Sequence, residues 1–262
     1  MAAKAAAVLQ KDFLTAIRYR NGLLLSAFAP AAQLLTFYYL SRAVGPQFRP
    51  EGLPYFSFLL VGTGFYTLML ASMHGFLHVI QESQQTGTLE VLMTTSTPPV
   101  SLLCLAALSS FATALMQFLF YIAAGLSLFP GGVHISVLQA IAVLLLSVLI
   151  AISFGIFAAG LQVSLQKGSV VLWVFGSSAW VLAGTLFPTA ALPEPIRVLS
   201  QWLPLTHSLT GMRLAMLGGA GSALNREIGI LLLFALTLLP ASLAVFSWTI
   251  RRARQLGTLS FY

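Results

Sequence analysis

His74, His78 and Glu82 recur at four-residue intervals, and they are the side chains most capable of chemistry in this sequence. On a helix that spacing puts all three on one face, where an HxxxH pair with a nearby carboxylate can ligate a divalent metal. Near a membrane boundary the same residues can equally be hydrated helix-end polar groups, so an intramembrane metal-dependent enzyme and a non-catalytic helix end both remain open. The other two histidines, His134 and His207, have no evident catalytic partner in the sequence. All six acids (Asp12, Glu51, Glu82, Glu90, Glu194 and Glu227) lie in or beside polar connections. Acids buried within apolar segments would mark a proton relay, so their placement argues against a proton-driven pump. No G-x-x-x-x-G-K-[ST] loop occurs, and without one the chain has no cradle for nucleotide phosphates.

The elements that must position these groups are apolar. Of 262 residues 58% are hydrophobic and only 7% charged, with a mean hydropathy of +0.91. A soluble domain carries about 25% charged residues to hydrate its surface. The outside of this chain therefore faces lipid, and no charged stretch is long enough to form a separate soluble domain. The single cysteine, Cys104, has no partner for an internal disulfide. The net charge of +7 is concentrated in the flanks, at Lys4, Lys11, Arg18 and Arg20 and at Arg251, Arg252 and Arg254. That distribution fits membrane orientation rather than nucleic-acid binding.

Apolar length and polar punctuation predict an all-α membrane domain, 1–262, with six transmembrane helices: Leu23–Leu40, Tyr55–Ile80, Ser101–Phe129, Ile135–Val163, Ser169–Phe187 and Ile228–Ile250. Pro240 is expected to kink the last of them. Residues 1–20 intersperse apolar side chains with cations in the manner of an amphipathic helix lying at the interface. A signal peptide is the competing reading of the N-terminus, but the run from Leu23 to Leu40 is too long for one. With six spans, eight cations fall on the side of the termini and five on the other, so both termini are expected in the cytoplasm.

Two connections stand out. Residues 81–99 are polar and acidic, and would project into the cytoplasm between spans two and three as a docking element or as an ordinary solvated loop. Residues 188–221 lie outside yet carry many apolar residues between Pro193, Pro204 and Gly218-Gly219. So long a structureless loop is uncommon, so short helices re-entering the outer leaflet are expected.

At these two connections the sequence resembles a known family. Glu82, then Gly87-Thr88-Leu89-Glu90, then Thr97-Pro98 is similar to the E…GTLE…TP signature of type-two ABC exporter permeases. Gly184 to Phe187-Pro188, Leu192-Pro193, Leu203-Pro204-Leu205-Thr206-His207 and Arg213 resemble the family's G-x-x-F-P…L-P…L-P-L-T-H…R stretch after the fifth span. One departure is Gln81, neutral where family members often carry a basic residue.

The resemblance implies a permease half that pairs with a second half, often a copy of itself, and with two ATP-binding subunits carrying the ATP and magnesium. It makes Glu82, Gly87, Thr88, Leu89, Glu90, Thr97 and Pro98 part of a coupling helix that fits a groove on the ATPase, with the N-terminal helix as a second contact. It makes the segment holding Pro188, Pro193, Pro204, His207 and Arg213 part of an external gate. The expected function is then export across the plasma (inner) membrane, with no cofactor bound by this chain. A path free of charge, near aromatics such as Phe37, Tyr38, Tyr39, Phe118 and Tyr121, suits a hydrophobic or amphipathic substrate such as a drug, a lipid or a lipid-linked glycan. Aromatics at helical spacing are also common packing anchors. A passive scaffold or channel is the remaining alternative.

Overall fold

The computed structural model describes residues 20–87, 99–128, 136–165, 167–218 and 221–256, and among them it contains helices and no β-strand. The long helices are α1 (Arg20–Val44), α2 (Tyr55–Gln85), α3 (Pro99–Leu128), α4 (Val137–Leu165), α5 (Gly168–Leu182) and α8 (Ser222–Leu256). Between α5 and α8 lie a 3₁₀ turn at Thr189–Ala191 and two short helices, α6 (Glu194–Gln201) and α7 (Pro204–Met216). A second 3₁₀ turn, Pro50–Gly52, joins α1 to α2. The expected interface helix falls on residues 1–19, and Thr88, Leu89, Glu90, Thr97 and Pro98 fall on 88–98. Both stretches lie outside the described residues.

Four helices among the described residues are long and apolar enough to cross a membrane: Tyr55–Gln85, Ser110–Ser127, Val137–Ser164 and Ser222–Ala253. They correspond to the expected spans two, three, four and six. The first expected span lies within α1, and the fifth begins α5 but outlasts it. Helix α5 has 15 residues and stops at Leu182 rather than Phe187. The reason is local: Gly184 takes φ +79°, and Pro188 is extended at ψ 141°, so the backbone turns out of the helix. At 1.5 Å per residue α5 is about 22 Å long, short of a hydrocarbon core of about 30 Å. Pro240 sits inside α8, which continues through it.

Helix α2 is the centre of the bundle. In its most apolar window 78% of residues are buried, against 17% for α8 and 22% for α3, whose outer faces remain apolar and exposed. It packs against α1, α3, α4, α5 and α7, while α4 and α8 form the other extensive pair. A continuous core runs from Leu53 and Val61 through Phe65, Met69 and Leu77 to Leu205 and Leu209 of α7. Gly62 is required for this arrangement. A Cβ there would collide with the carbonyl oxygen of Thr185, so only glycine lets the turn after α5 lie against α2.

The expectation of short helices in 188–221 is matched by α6 and α7, each begun by proline. Pro193 caps α6, Pro195 stands in its first turn, and Pro204 opens α7. A proline there loses no helical hydrogen bond and has its φ already set. Helix α7 is buried along much of its length and packs on α2, α4 and α8.

Candidate functional site

Three features of the bundle gather polar residues, and α2 takes part in the first and the third. The first is a buried cation. Arg213 of α7 is only 2% exposed. Its Nη2 donates to the carbonyls of Gly184 at 2.7 Å and Phe58 at 3.4 Å. Its Nη1 lies 3.5 Å from Glu51 Oε2, and the guanidinium sits 3.5 Å above the Phe58 ring. One side chain therefore ties α7 to the start of α2, to the turn after α5 and to the α1–α2 connection. Glu51 adopts φ +52°, the one non-glycine residue with positive φ among those described. That conformation costs roughly 1–2 kcal/mol, and the carboxylate it presents to Arg213 offsets it. Burial lowers the Arg213 pKa to about 10, with Glu51 opposing the fall, so the guanidinium stays charged at neutral pH. Among the described residues its Nε has no hydrogen-bond partner.

The second feature lies on another side of α7. His207 Nδ1 is 2.7 Å from Glu227 Oε2 at the start of α8, and its Nε2 is 2.9 Å from the carbonyl of Gln201 at the end of α6. Both side chains are 15% exposed. His207 and Arg213 are six residues apart, hence about 120° apart around the helix. They fasten α7 in two directions instead of forming one site. Of the other residues expected in this segment, Pro188, Pro193 and Pro204 set helix starts and turns.

The third feature is at the far end of α2. Gln162 Nε2 of α4 donates to Gln84 Oε1 at 3.3 Å, Gln162 Oε1 accepts from the Gly168 backbone N–H at 3.0 Å, and Gln81 Nε2 donates to Ser169 Oγ at 2.7 Å. This glutamine network locks the end of α2 to the α4–α5 junction. Sequence reading missed it, because Gln84 and Gln162 are 78 positions apart and Gln81 and Ser169 are 88 apart; the one signal was Gln162, an uncharged amide within an apolar run. Just beyond, Gly87 takes φ +67° and its N–H bonds the Gln84 carbonyl at 3.3 Å, which ends the helix. A Cβ on Gly87 would meet nothing within 4 Å, so the backbone angle rather than space demands glycine.

Along the His74–His78–Glu82 face the contacts are local to the helix. His74 Nδ1 bonds the Leu70 carbonyl at 2.8 Å, and His78 Nδ1 stands 3.7 Å from Glu82 Oε2 as an exposed pair. Among the described residues no three His, Cys, Asp or Glu side chains converge on a point that could hold a metal ion.

Between α1, α2 and α3 lies a cavity of about 550 Å³, lined by Pro30, Gln33, Thr67, Gln117, Phe118 and Tyr121 with small apolar neighbours. Phe118 packs edge-on against Phe65 at 5.3 Å, and the Tyr121 and Thr63 hydroxyls are 3.1 Å apart. Phe37 is buried, whereas Tyr39 is exposed. The aromatics thus divide between packing and cavity wall, and among the described residues no charged side chain lines the space.

The described residues form a helical bundle with long apolar helices, in which α2 is fixed at one end by Arg213 and at the other by glutamines. Residues 37–244 match the family model described as ABC-2 family transporter protein, and the chain belongs to that family. Such a chain is the membrane permease of an ABC transporter and works with an ATP-binding subunit, where ATP hydrolysis occurs. No curated protein matches the chain.

Proposed function

We propose that this chain is one permease half of an ATP-driven exporter, pairing with a second copy of itself and with two ATP-binding subunits. The observation that supports the reading best is the length and fixation of α2. Its 31 residues span about 46 Å, some 15 Å more than a hydrocarbon core. The excess carries Glu82 and Gly87 out of the membrane and aims the chain at Gly87-Thr88-Leu89-Glu90, the expected ATPase contact. A push there moves α2 as a rod, because its side chains are packed along its length and interlocked at both ends. The α6–α7 segment, hung on the opposite end through Arg213, follows as the external gate.

In this reading six spans cross the plasma (inner) membrane with both termini in the cytoplasm, the interface helix at 1–20 adds a second ATPase contact, and α6 and α7 dip into the outer leaflet. The substrate is hydrophobic or amphipathic and uncharged where it contacts the α1–α2–α3 cavity, whose walls offer glutamine amides and hydroxyls but no counter-ion.

The test is co-purification of the tagged full-length chain with the ATPase encoded beside it, followed by ATP hydrolysis and transport in vesicles. The expected result is a stable complex that Glu90→Lys dissociates. Absence of any nucleotide-binding subunit, or a Glu90→Lys variant with unchanged association and stimulated hydrolysis, overturns the proposal.

A further inference from the structure

Where α1 ends and α2 begins, the chain forms a second cavity, of about 440 Å³, lined by Ser41, Arg42, Phe48, Arg49, Pro54 and Tyr55 with the Gly45-Pro46 turn. Both arginines are exposed, and among the described residues neither pairs with a carboxylate. The acid nearest in sequence, Glu51, is directed instead at Arg213. Two guanidinium groups thus share one concavity with no negative charge to balance them. The walls are fixed. Arg42 lies over the Tyr38 ring at 5.2 Å, Phe48 packs edge-on against Tyr55 at 5.0 Å, and the Tyr55 hydroxyl donates to the Leu186 carbonyl at 3.2 Å.

Position supplies the ligand's chemistry. The cavity sits at the junction of α1 and α2, and with both helices crossing the membrane, as the proposed six-span arrangement has them, that junction lies where aromatic and cationic side chains meet lipid headgroups. A guanidinium donates two parallel hydrogen bonds to a phosphate, and basic pockets between membrane helices take anionic headgroups. We infer that this cavity is a binding site for the headgroup of an anionic phospholipid, held by Arg42 and Arg49 with the Ser41 hydroxyl as a further donor. Bound there, the lipid supplies the counter-charge missing at the α1–α2 connection and braces the 3₁₀ turn that carries Glu51. This rests on α1 and α2 crossing the membrane, and is independent of any ATPase.

The experiment is native mass spectrometry of the delipidated full-length chain titrated with phosphatidylglycerol or phosphatidylcholine of matched acyl chains. The site predicts retention of phosphatidylglycerol at roughly thirtyfold lower lipid concentration, as two cations near a headgroup imply. R42Q/R49Q abolishes the preference, the single R49Q reduces it, and R197Q, at an arginine already paired with Glu194, leaves it intact. Equal retention of the two lipids overturns the inference, as does an unchanged preference in R42Q/R49Q. Displacement of the lipid by inorganic phosphate would assign the cavity to small anions and overturn it too. Because lipid retention is read on the chain alone, its failure is distinguishable from failure of ATPase association.

Discussion

The imidazole of His207 and the carboxylate of Glu227 meet at 2.7 Å, joining α7 to α8, while the second ring nitrogen of His207 faces the Gln201 carbonyl at 2.9 Å. Both nitrogens face acceptors, and only the imidazolium can donate to both. Burial lowers the His207 pKa, but the hydrogen bonds it donates to Glu227 and Gln201 and the charge of Glu227 outweigh burial and the opposing Arg226, and the net shift is upward. Helix α4, also packed on α7, carries no titratable residue in its range. A raised pKa stabilises the fold fully below the ordinary histidine value of about 6.5. That contribution disappears as pH rises through the folded value. The detergent-solubilised protein should therefore melt at a higher temperature at pH 6 than at pH 8.5, and His207→Gln should remove most of that difference. Equal pH dependence in the two proteins would refute the pairing.

Arg213→Ala leaves Glu51 without its cation and the Gly184 carbonyl without its donor. Removing one partner of a buried pair costs about 3–5 kcal/mol, and unfolding in denaturant should show a loss of that order. Arg213→Lys should recover only part of it, because a lysine cannot reach the Glu51 carboxylate and the Gly184 carbonyl from one planar fork.

Gly62→Ala drives a methyl group into the Thr185 carbonyl. Backbone would have to move to relieve it, at a cost of about 1–3 kcal/mol. Gly229→Ala makes a control, since a Cβ at Gly229 meets nothing within 4 Å, and thermal melts should separate the two variants.

At Gly87 the expected outcome is functional. Alanine there pays about 1–2 kcal/mol for a left-handed backbone, so the end of α2 unravels or redirects the chain beyond it. ATPase association should weaken while the melting temperature of the bundle stays within a degree or two of wild type, because Gly87 touches no core residue.

Length and hydropathy were enough to reveal α2, α4 and α8, because each is an unbroken apolar run with polar ends. The end of α5 was not legible. Ala183 to Phe187 is as apolar as the helix before it, and the turn depends on Gly184 adopting a positive φ against α2. The prolines of 188–221 marked α6 and α7 correctly, since a proline at a helix start acts locally. The long-range partners were invisible for the opposite reason. Nothing near Arg213 in sequence indicates Glu51 or Gly184, and nothing near Gln162 indicates Gln84. The HxxxH spacing does mark one helical face, but spacing alone does not show that His74 bonds its own helix and that His78 stands beside Glu82.

The Arg213 clamp also sets an order of events during synthesis. Arg213 bonds the Phe58 carbonyl across 155 positions of chain. Glu51 and the first turns of α2 therefore leave the ribosome long before their cation exists. Until α7 arrives, Glu51 has no Arg213 to favour its left-handed backbone. A chain truncated before Arg213 lacks the group that ties the α1–α2 connection to the rest of the bundle. Completion of the fold is thus tied to completion of the polypeptide.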